Sequence, residues 1–244
     1  MKSISVGMII RSLFSRLLVF LLMAALAIPM LLIMLLMPKK WRAESKLLFW
    51  LTNILYVGSL KCIFMPIVVR GKENIPDSPV IIAANHQSAL DIPLVGSLLD
   101  CHPHVWLARS ELMNSWVLRF VLPYFAVVAD VNSPMKAMRS LLKIISLVNG
   151  KRCHLLIFPE GQRHNDDDVH EFFGGFVILA KKMGRPVVPV RIFNANKVYA
   201  RDAFWARWHP ITVVVGKPLL MGEDETDEAF RHRVRQWFVE QKEE

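Results

Sequence analysis

Residues 79–91 read Pro79-Val80-Ile81-Ile82-Ala83-Ala84-Asn85-His86-Gln87-Ser88-Ala89-Leu90-Asp91. The run from Val80 to Ala84 carries no charge and ends at an Asn-His pair. A short apolar run of this kind reads as a strand buried on both faces. The stretch Ala89–Leu99 then takes on helical periodicity, so strand passes to helix through a polar turn.

The same alternation extends outward. Met65–Arg70, Pro79–Ala84, His104–Ala108, Ala126–Ala129, Cys153–Phe158, Pro186–Ile192 and Ile211–Val215 are predicted strands, rich in β-branched residues with turn signals at their ends. Ala89–Leu99, Glu111–Leu122, Pro134–Val148 and Gly175–Met183 are predicted helices. Ser133-Pro134 supplies a cap and a first-turn proline, and Gly150 a stop. Phe230, Val234, Trp237 and Phe238 form a last helical stripe. Apolar strands alternating with helices imply an α/β domain with a mostly parallel or mixed sheet flanked by helices. Sites in such sheets form beyond the strand ends.

The first 64 residues differ. Leu17 to Met37 is a run of 21 residues without a charge. At about 1.5 Å per residue it covers roughly 30 Å, one hydrocarbon thickness. A signal peptide's apolar region is shorter, about 7–15 residues, so an uncleaved membrane-anchoring segment is expected. Pro29 leaves two arrangements open, a kinked span or a re-entrant hairpin. Lys2, Arg11 and Arg16 precede the run; Lys39, Lys40, Arg42 and Lys46 follow it. From Glu44 to about Leu60 a second helix is expected, either packed on the domain or lying at the interface. The organisation read from the sequence is residues 1–64 as anchor and interfacial helix, and 65–244 as a catalytic domain.

The 244 residues carry a formal charge of +9 and a mean hydropathy of +0.34. No zinc-ligand spacing or basic–aromatic RNA-binding pattern accompanies the charge, so anionic membrane lipid is the expected partner and nucleic acid is not. Cys62, Cys101 and Cys153 are odd in number and widely spaced, which argues against a disulfide framework and for a reducing, cytoplasmic setting.

Two clusters carry chemistry. Straight helical geometry would separate His86 and Asp91 by about 140°. They meet only if His86 sits in the strand–helix turn and folds back. The carboxylate then fixes the tautomer and leaves the other nitrogen as a base. The plain alternative is a turn histidine and a first-turn charge. The second cluster is Phe158-Pro159-Glu160-Gly161-Gln162-Arg163, again after an apolar strand. Its glycine permits close backbone approach and its arginine suits phosphate. The plain alternative is a Pro-Gly turn with a solvated arginine. Val188-Pro189-Val190 ends the next strand. Asp166-Asp167-Asp168 reads as a solvated loop rather than a metal site.

In this order and spacing, the three pieces resemble the glycerolipid acyltransferase family, of the 1-acylglycerol-3-phosphate acyltransferase kind. Asn85-His86…Asp91 matches the NHxxxxD motif, Phe158–Arg163 the FPEGxR motif, and Val188-Pro189-Val190 the final proline motif. Gly71–Pro76 and Phe172–Phe176 resemble flanking family text, and the likeness covers about residues 65–218. It implies transfer of a fatty acyl group from acyl-CoA or acyl-carrier protein to the sn-2 hydroxyl of lysophosphatidic acid, giving phosphatidic acid for phospholipid biosynthesis. The acyl carrier is a substrate, and no cofactor or metal is implied. His86 is the implied general base and Asp91 its orienting acid. Glu160, Gly161, Arg163 and Pro189 are the implied binding residues. The implied location is the inner (plasma) membrane, catalytic domain on the cytoplasmic face. Where the family has a glycine and an Asp-Arg pair, this chain has Phe125 and Asp130-Val131. Arg109 or Arg139 is then the expected substitute for the missing arginine. Other acceptors stay open, namely another lysophospholipid or a lyso-aminolipid, as does an inactive lipid-binding protein. Ser88 as a covalent nucleophile is the weaker route.

Overall fold

A computed structural model describes residues 5–42, 44–114, 119, 122, 126–129, 133–201 and 203–243. Seven strands form one sheet: β1 (Ile67–Arg70), β2 (Ile81–Ala84), β3 (His104–Arg109), β4 (Ala126–Ala129), β5 (His154–Ile157), β6 (Val187–Phe193) and β7 (Ile211–Val215). Their order is β1-β7-β6-β2-β5-β3-β4. Every neighbouring pair is parallel except β6 and β7, which are antiparallel. The expected mixed α/β architecture is therefore present.

The main helices are α1 (Val6–Leu36), α2 (Lys46–Cys62), α3 (Asp91–Ser97), α4 (Pro134–Val148), α5 (Gly175–Met183) and α6 (Asp227–Glu240). Ser5, Ser45, Ser133 and Thr226 cap four of them, each side chain accepting a backbone N–H three residues on. The sheet buries both faces. Val80, Ile82, Leu94, Val95, Val188 and Val190 lie on one side with the end of α2. Ile81, Ala83, Ile144, Ile157, Phe176 and Phe230 lie on the other with α4, α5 and α6. Burial on both faces is why these strands are uniformly apolar rather than alternating. Gly96 lets α3 close on α2, because a Cβ there would fall 2.2 Å from the Tyr56 ring.

After β2 the chain runs through α3 to β3, and after β5 it runs through α5 to β6. These connections depart to opposite faces of the sheet from adjacent strands. The switch lies beyond the carboxyl ends of β2 and β5, the place where sites form in such sheets.

The expected helix over Glu111–Leu122 begins as a 3₁₀ turn, Ser110–Asn114, and its remainder falls largely outside the described residues. Phe125, Asp130 and Val131 lie outside them too. At the N-terminus α1 runs unbroken through Pro29. The chain does not turn back at the proline; it reverses after Leu36 and returns as α2. Met30 and Met34 pack on Leu48 and Leu51, and a Cβ on Gly58 would touch Leu22. Phe14 stacks on Phe64. Farther toward its start, Arg11 donates to the Ala206 carbonyl at 2.8 Å and Ser12 accepts from the Ala206 N–H at 3.0 Å. One side of α1 thus lies along the molecule for most of its length. Its outer side, including Leu17, Phe20, Leu21, Ile28, Leu32 and Leu35, is exposed.

Candidate active site

His86 follows β2 in a non-helical turn, and α3 begins at Asp91. Asp91 folds back over that turn. Its Oδ2 accepts from the backbone N–H of Gln87 at 2.6 Å and of Ser88 at 2.7 Å. The same oxygen meets His86 Nδ1 at 2.7 Å. The carboxylate is fully buried and the His86 side chain is 14% exposed. An oxygen already accepting two N–H groups is an acceptor for the third, so Nδ1 carries the proton. Nε2 is left as the basic nitrogen.

The rest of the turn is pinned. Asn85 makes two bonds with Ile192 across the sheet, its amide donating to the carbonyl at 2.9 Å and its oxygen accepting the N–H at 2.7 Å. Ser88 is buried, and its hydroxyl donates to the Tyr199 carbonyl at 2.6 Å. That engagement removes Ser88 as a nucleophile on geometry.

The second cluster arrives from the neighbouring strand. Ala83 pairs with Ile157 in register, so the turn after β5 emerges beside the one after β2. Phe158 lies under His86, with ring centroids 3.8 Å apart and planes 7° from parallel. Trp106 stacks on the same Phe158. Gly161 has φ +72°, a left-handed value suited to glycine. The loop is tied to its neighbour by His164 N–H donating to the His86 carbonyl at 2.9 Å.

Glu160 points inward. Its Oε2 accepts the His86 backbone N–H at 3.3 Å. Burial pushes its carboxyl up to about 7, against the lowering effects of that hydrogen bond and of Arg191. Arg163 is half-buried and makes no hydrogen bond or ion pair among the described residues. It is the cation of this loop available to an anion.

Arg109, at the end of β3, donates to the Gly161 carbonyl at 3.1 Å and pairs bidentately with Glu111. It is brought to the site as a brace on the loop. Arg139 is exposed on α4. Pro189 is buried within β6, in register with Ala83, and its carbonyl accepts from Gly216 N–H at 2.8 Å. It shapes the sheet two residues before Arg191.

Three contributors have roles not read from the sequence, although Asn85 and Phe158 stand within the two motifs. Asn85 is the clamp between strands, and Phe158 is the platform for the imidazole. Arg191 is buried, donates to the Asp167 carbonyl and faces Glu160. An arginine inside Val-Val-Pro-Val-Arg-Ile-Phe was the signal for the last, since a buried charge requires partners. In the loop, Asp166 pairs with His170 at 2.7 Å, and His164, Asp166 and His170 hold their ligand atoms within 4.8 Å of one another. Asp166 and Asp168 are exposed.

Known proteins resemble this chain in sequence and in fold. A family model described as Acyltransferase matches residues 66–193. The 1-acyl-sn-glycerol-3-phosphate acyltransferase of Borreliella burgdorferi is 32% identical over 163 residues, covering 66% of this chain and 60% of that protein. The enzyme of that name from Pseudomonas aeruginosa is 30% identical over 179 residues, covering 70% and 67%. The matched stretch thus spans about three fifths to two thirds of these relatives. In fold, the chain resembles the crystal structure of the 1-acyl-sn-glycerophosphate acyltransferase from Thermotoga maritima, with a TM-score of 0.78 at 22% identity, over 96% of this chain and 95% of that one.

Proposed function

The chain belongs to the acyltransferase family, and on that premise we propose that it moves a fatty acyl group from an acyl thioester to the free hydroxyl of lysophosphatidic acid. The observation carrying this reading is the 2.7 Å bond between His86 Nδ1 and Asp91 Oδ2, with Nε2 left basic.

The chemistry follows from that nitrogen. His86 Nε2 takes the hydroxyl proton as the acceptor oxygen attacks the thioester carbonyl carbon. Collapse of the tetrahedral intermediate breaks the carbon–sulfur bond, and the proton passes from His86 to the departing thiolate. The product is an ester plus free thiol, with no acyl-enzyme. Asp91 stabilises the imidazolium formed midway, and Phe158 keeps its plane fixed. Arg163 receives the acceptor's phosphate, and the loop held by Glu160 and Arg109 sets its position. We take the donor to be acyl-CoA or acyl-carrier protein, both water-soluble carriers, and accordingly read the catalytic domain as facing the cytoplasm at the inner membrane.

The anchor fits work at a surface. Val6–Leu36 is long and apolar enough to cross a membrane. Because one side of α1 is occupied by the rest of the chain along most of its length, we read it as lying in one leaflet with its outer side in the acyl chains. The test is a thiol-release assay of the purified protein against a panel of lysolipids. Release that requires lysophosphatidic acid supports the reading. Release without any lysolipid makes water the acceptor and overturns it.

A further inference from the structure

Between the short helix Ala195–Val198 and β7, the described residues 199–201 and 203–210 form a loop that no step above uses. At one end it touches the catalytic turn, since the Tyr199 carbonyl accepts the Ser88 hydroxyl at 2.6 Å. Arg201 N–H donates to Asn165 in the loop after β5. At its far end it touches α1. Arg11 and Ser12 hold Ala206, and Arg16 donates to the Phe204 carbonyl. The Arg16 guanidinium also lies 3.9 Å from the centre of the Phe204 ring. The loop therefore runs from the catalytic turn to the flank of the anchor helix.

Its outer surface is unusual for a loop facing water. Phe204 and Trp208 are each 60% exposed. They stand among Arg201 and Arg207, also exposed. On α1, among the residues that hold the loop, Leu13, Phe14 and Leu17 are exposed as well. Large aromatic rings interspersed with arginines are the chemistry of the headgroup layer. The rings sit at the acyl boundary and the guanidiniums meet lipid phosphates.

We propose that this loop, through Arg201, Phe204, Arg207 and Trp208, is a second membrane contact, seated in the headgroup layer of an anionic bilayer, and that it forms the edge over which the lysolipid passes from the leaflet to His86. The second half rests on the acyl-transfer reading; the first does not. A lysolipid has its headgroup in the layer where Phe204 and Trp208 sit. Following the loop inward brings that headgroup to the turn carrying His86 and the neighbouring Arg163. The pairing of Arg16 with Phe204 fixes the loop's height relative to the anchor.

Two measurements separate the halves. First, Trp208→Cys is made in a cysteine-free background and labelled with an environment-sensitive fluorophore. It is then titrated with phosphatidylcholine vesicles with and without phosphatidylglycerol, carrying headgroup-level nitroxide lipid. The expected result is a blue shift and quenching, stronger with phosphatidylglycerol. A label that stays open to a water-soluble quencher with vesicles bound overturns the membrane contact, whatever the enzymology. Second, Phe204→Ser with Trp208→Ser is assayed on long-chain lysophosphatidic acid in vesicles and on a short-chain, water-dispersed analogue. Both rings are mostly solvent-exposed, and Trp208→Ser alone, which leaves the Arg16–Phe204 contact in place, is assayed beside the double variant. The expected result is a KM for the bilayer acceptor raised about tenfold, with the short-chain acceptor unaffected. Equal effects on both acceptors overturn the access route. If wild type transfers to neither acceptor, it is the acyl-transfer reading that fails, and the fluorescence result stands by itself.

Discussion

The imidazole of His86 lies face to face with the ring of Phe158, centroids 3.8 Å apart and planes 7° from parallel. Asp91 fixes one nitrogen of His86, but a single hydrogen bond leaves the ring free to rock about that bond. The aromatic floor removes this freedom. Phe158→Leu keeps the apolar volume and loses the flat surface. Its kcat is expected to fall roughly tenfold from imprecise alignment, with the KM of both substrates little changed. Steady-state kinetics check this, and an unchanged kcat would show that Asp91 alone orients the base.

Arg163 carries a charge with no partner among the described residues, beside a glycine turn. Charge-assisted hydrogen bonds to phosphate are worth about 1.5–3 kcal/mol. Arg163→Ala is expected to raise the KM for lysophosphatidic acid roughly ten- to hundredfold, while thioester binding stays near normal. An equal loss for both substrates would remove the guanidinium from phosphate recognition.

Glu160 links stability to pH. Burial raises its carboxyl from 4.5 to about 7 in the folded chain. The protonated form is favoured by folding, so this contribution is complete below pH 4.5 and is lost as pH rises through about 7. Buried His104 and His154, both lowered to about 4, act in the opposite direction over part of that window, so the quantity to read is a difference. Glu160→Gln keeps an oxygen for the His86 N–H and cannot ionise, so the wild-type Tm is expected to fall relative to that of the variant as pH rises. Thermal melts in steps between pH 4.5 and pH 8 test this, parallel curves being the adverse outcome.

Asn85 closes two buried hydrogen bonds with Ile192. Asn85→Ala leaves a buried N–H and a buried carbonyl unsatisfied, at about 1–3 kcal/mol each. A lower denaturation midpoint is expected, along with a reduced kcat, because the same residue seats His86. A midpoint equal to wild type would mean the turn is held by other contacts.

Much of this was legible in the sequence. Pro134–Val148, Gly175–Met183, Ala126–Ala129 and Ile211–Val215 have the bounds their patterns predict, because caps, glycines and apolar runs are local signals. His86 and Asp91 were legible as a pair that must fold back, and the backbone N–H groups of Gln87 and Ser88 are what hold the fold-back in place. The course of α1 was not legible at Pro29. A proline removes one N–H and crowds one turn, and packing of Met30 and Met34 against α2 offsets that locally. Long-range partners were also hidden. Nothing near Asn85 in the sequence points to Ile192, 107 residues away, nor from Arg109 to the Gly161 carbonyl. The inward aim of Glu160 was hidden for the same reason: its surroundings come from β2 and β6.

The most direct test is the single-turnover rate of acyl transfer to lysophosphatidic acid by His86→Ala, alongside its thioester affinity and circular dichroism. Removing a general base typically costs about 10²–10⁴ in rate. The expected result is a rate at least about a hundredfold lower, with donor affinity and spectrum as in wild type. Transfer at close to the wild-type rate would contradict a mechanism in which Nε2 of this histidine takes the hydroxyl proton.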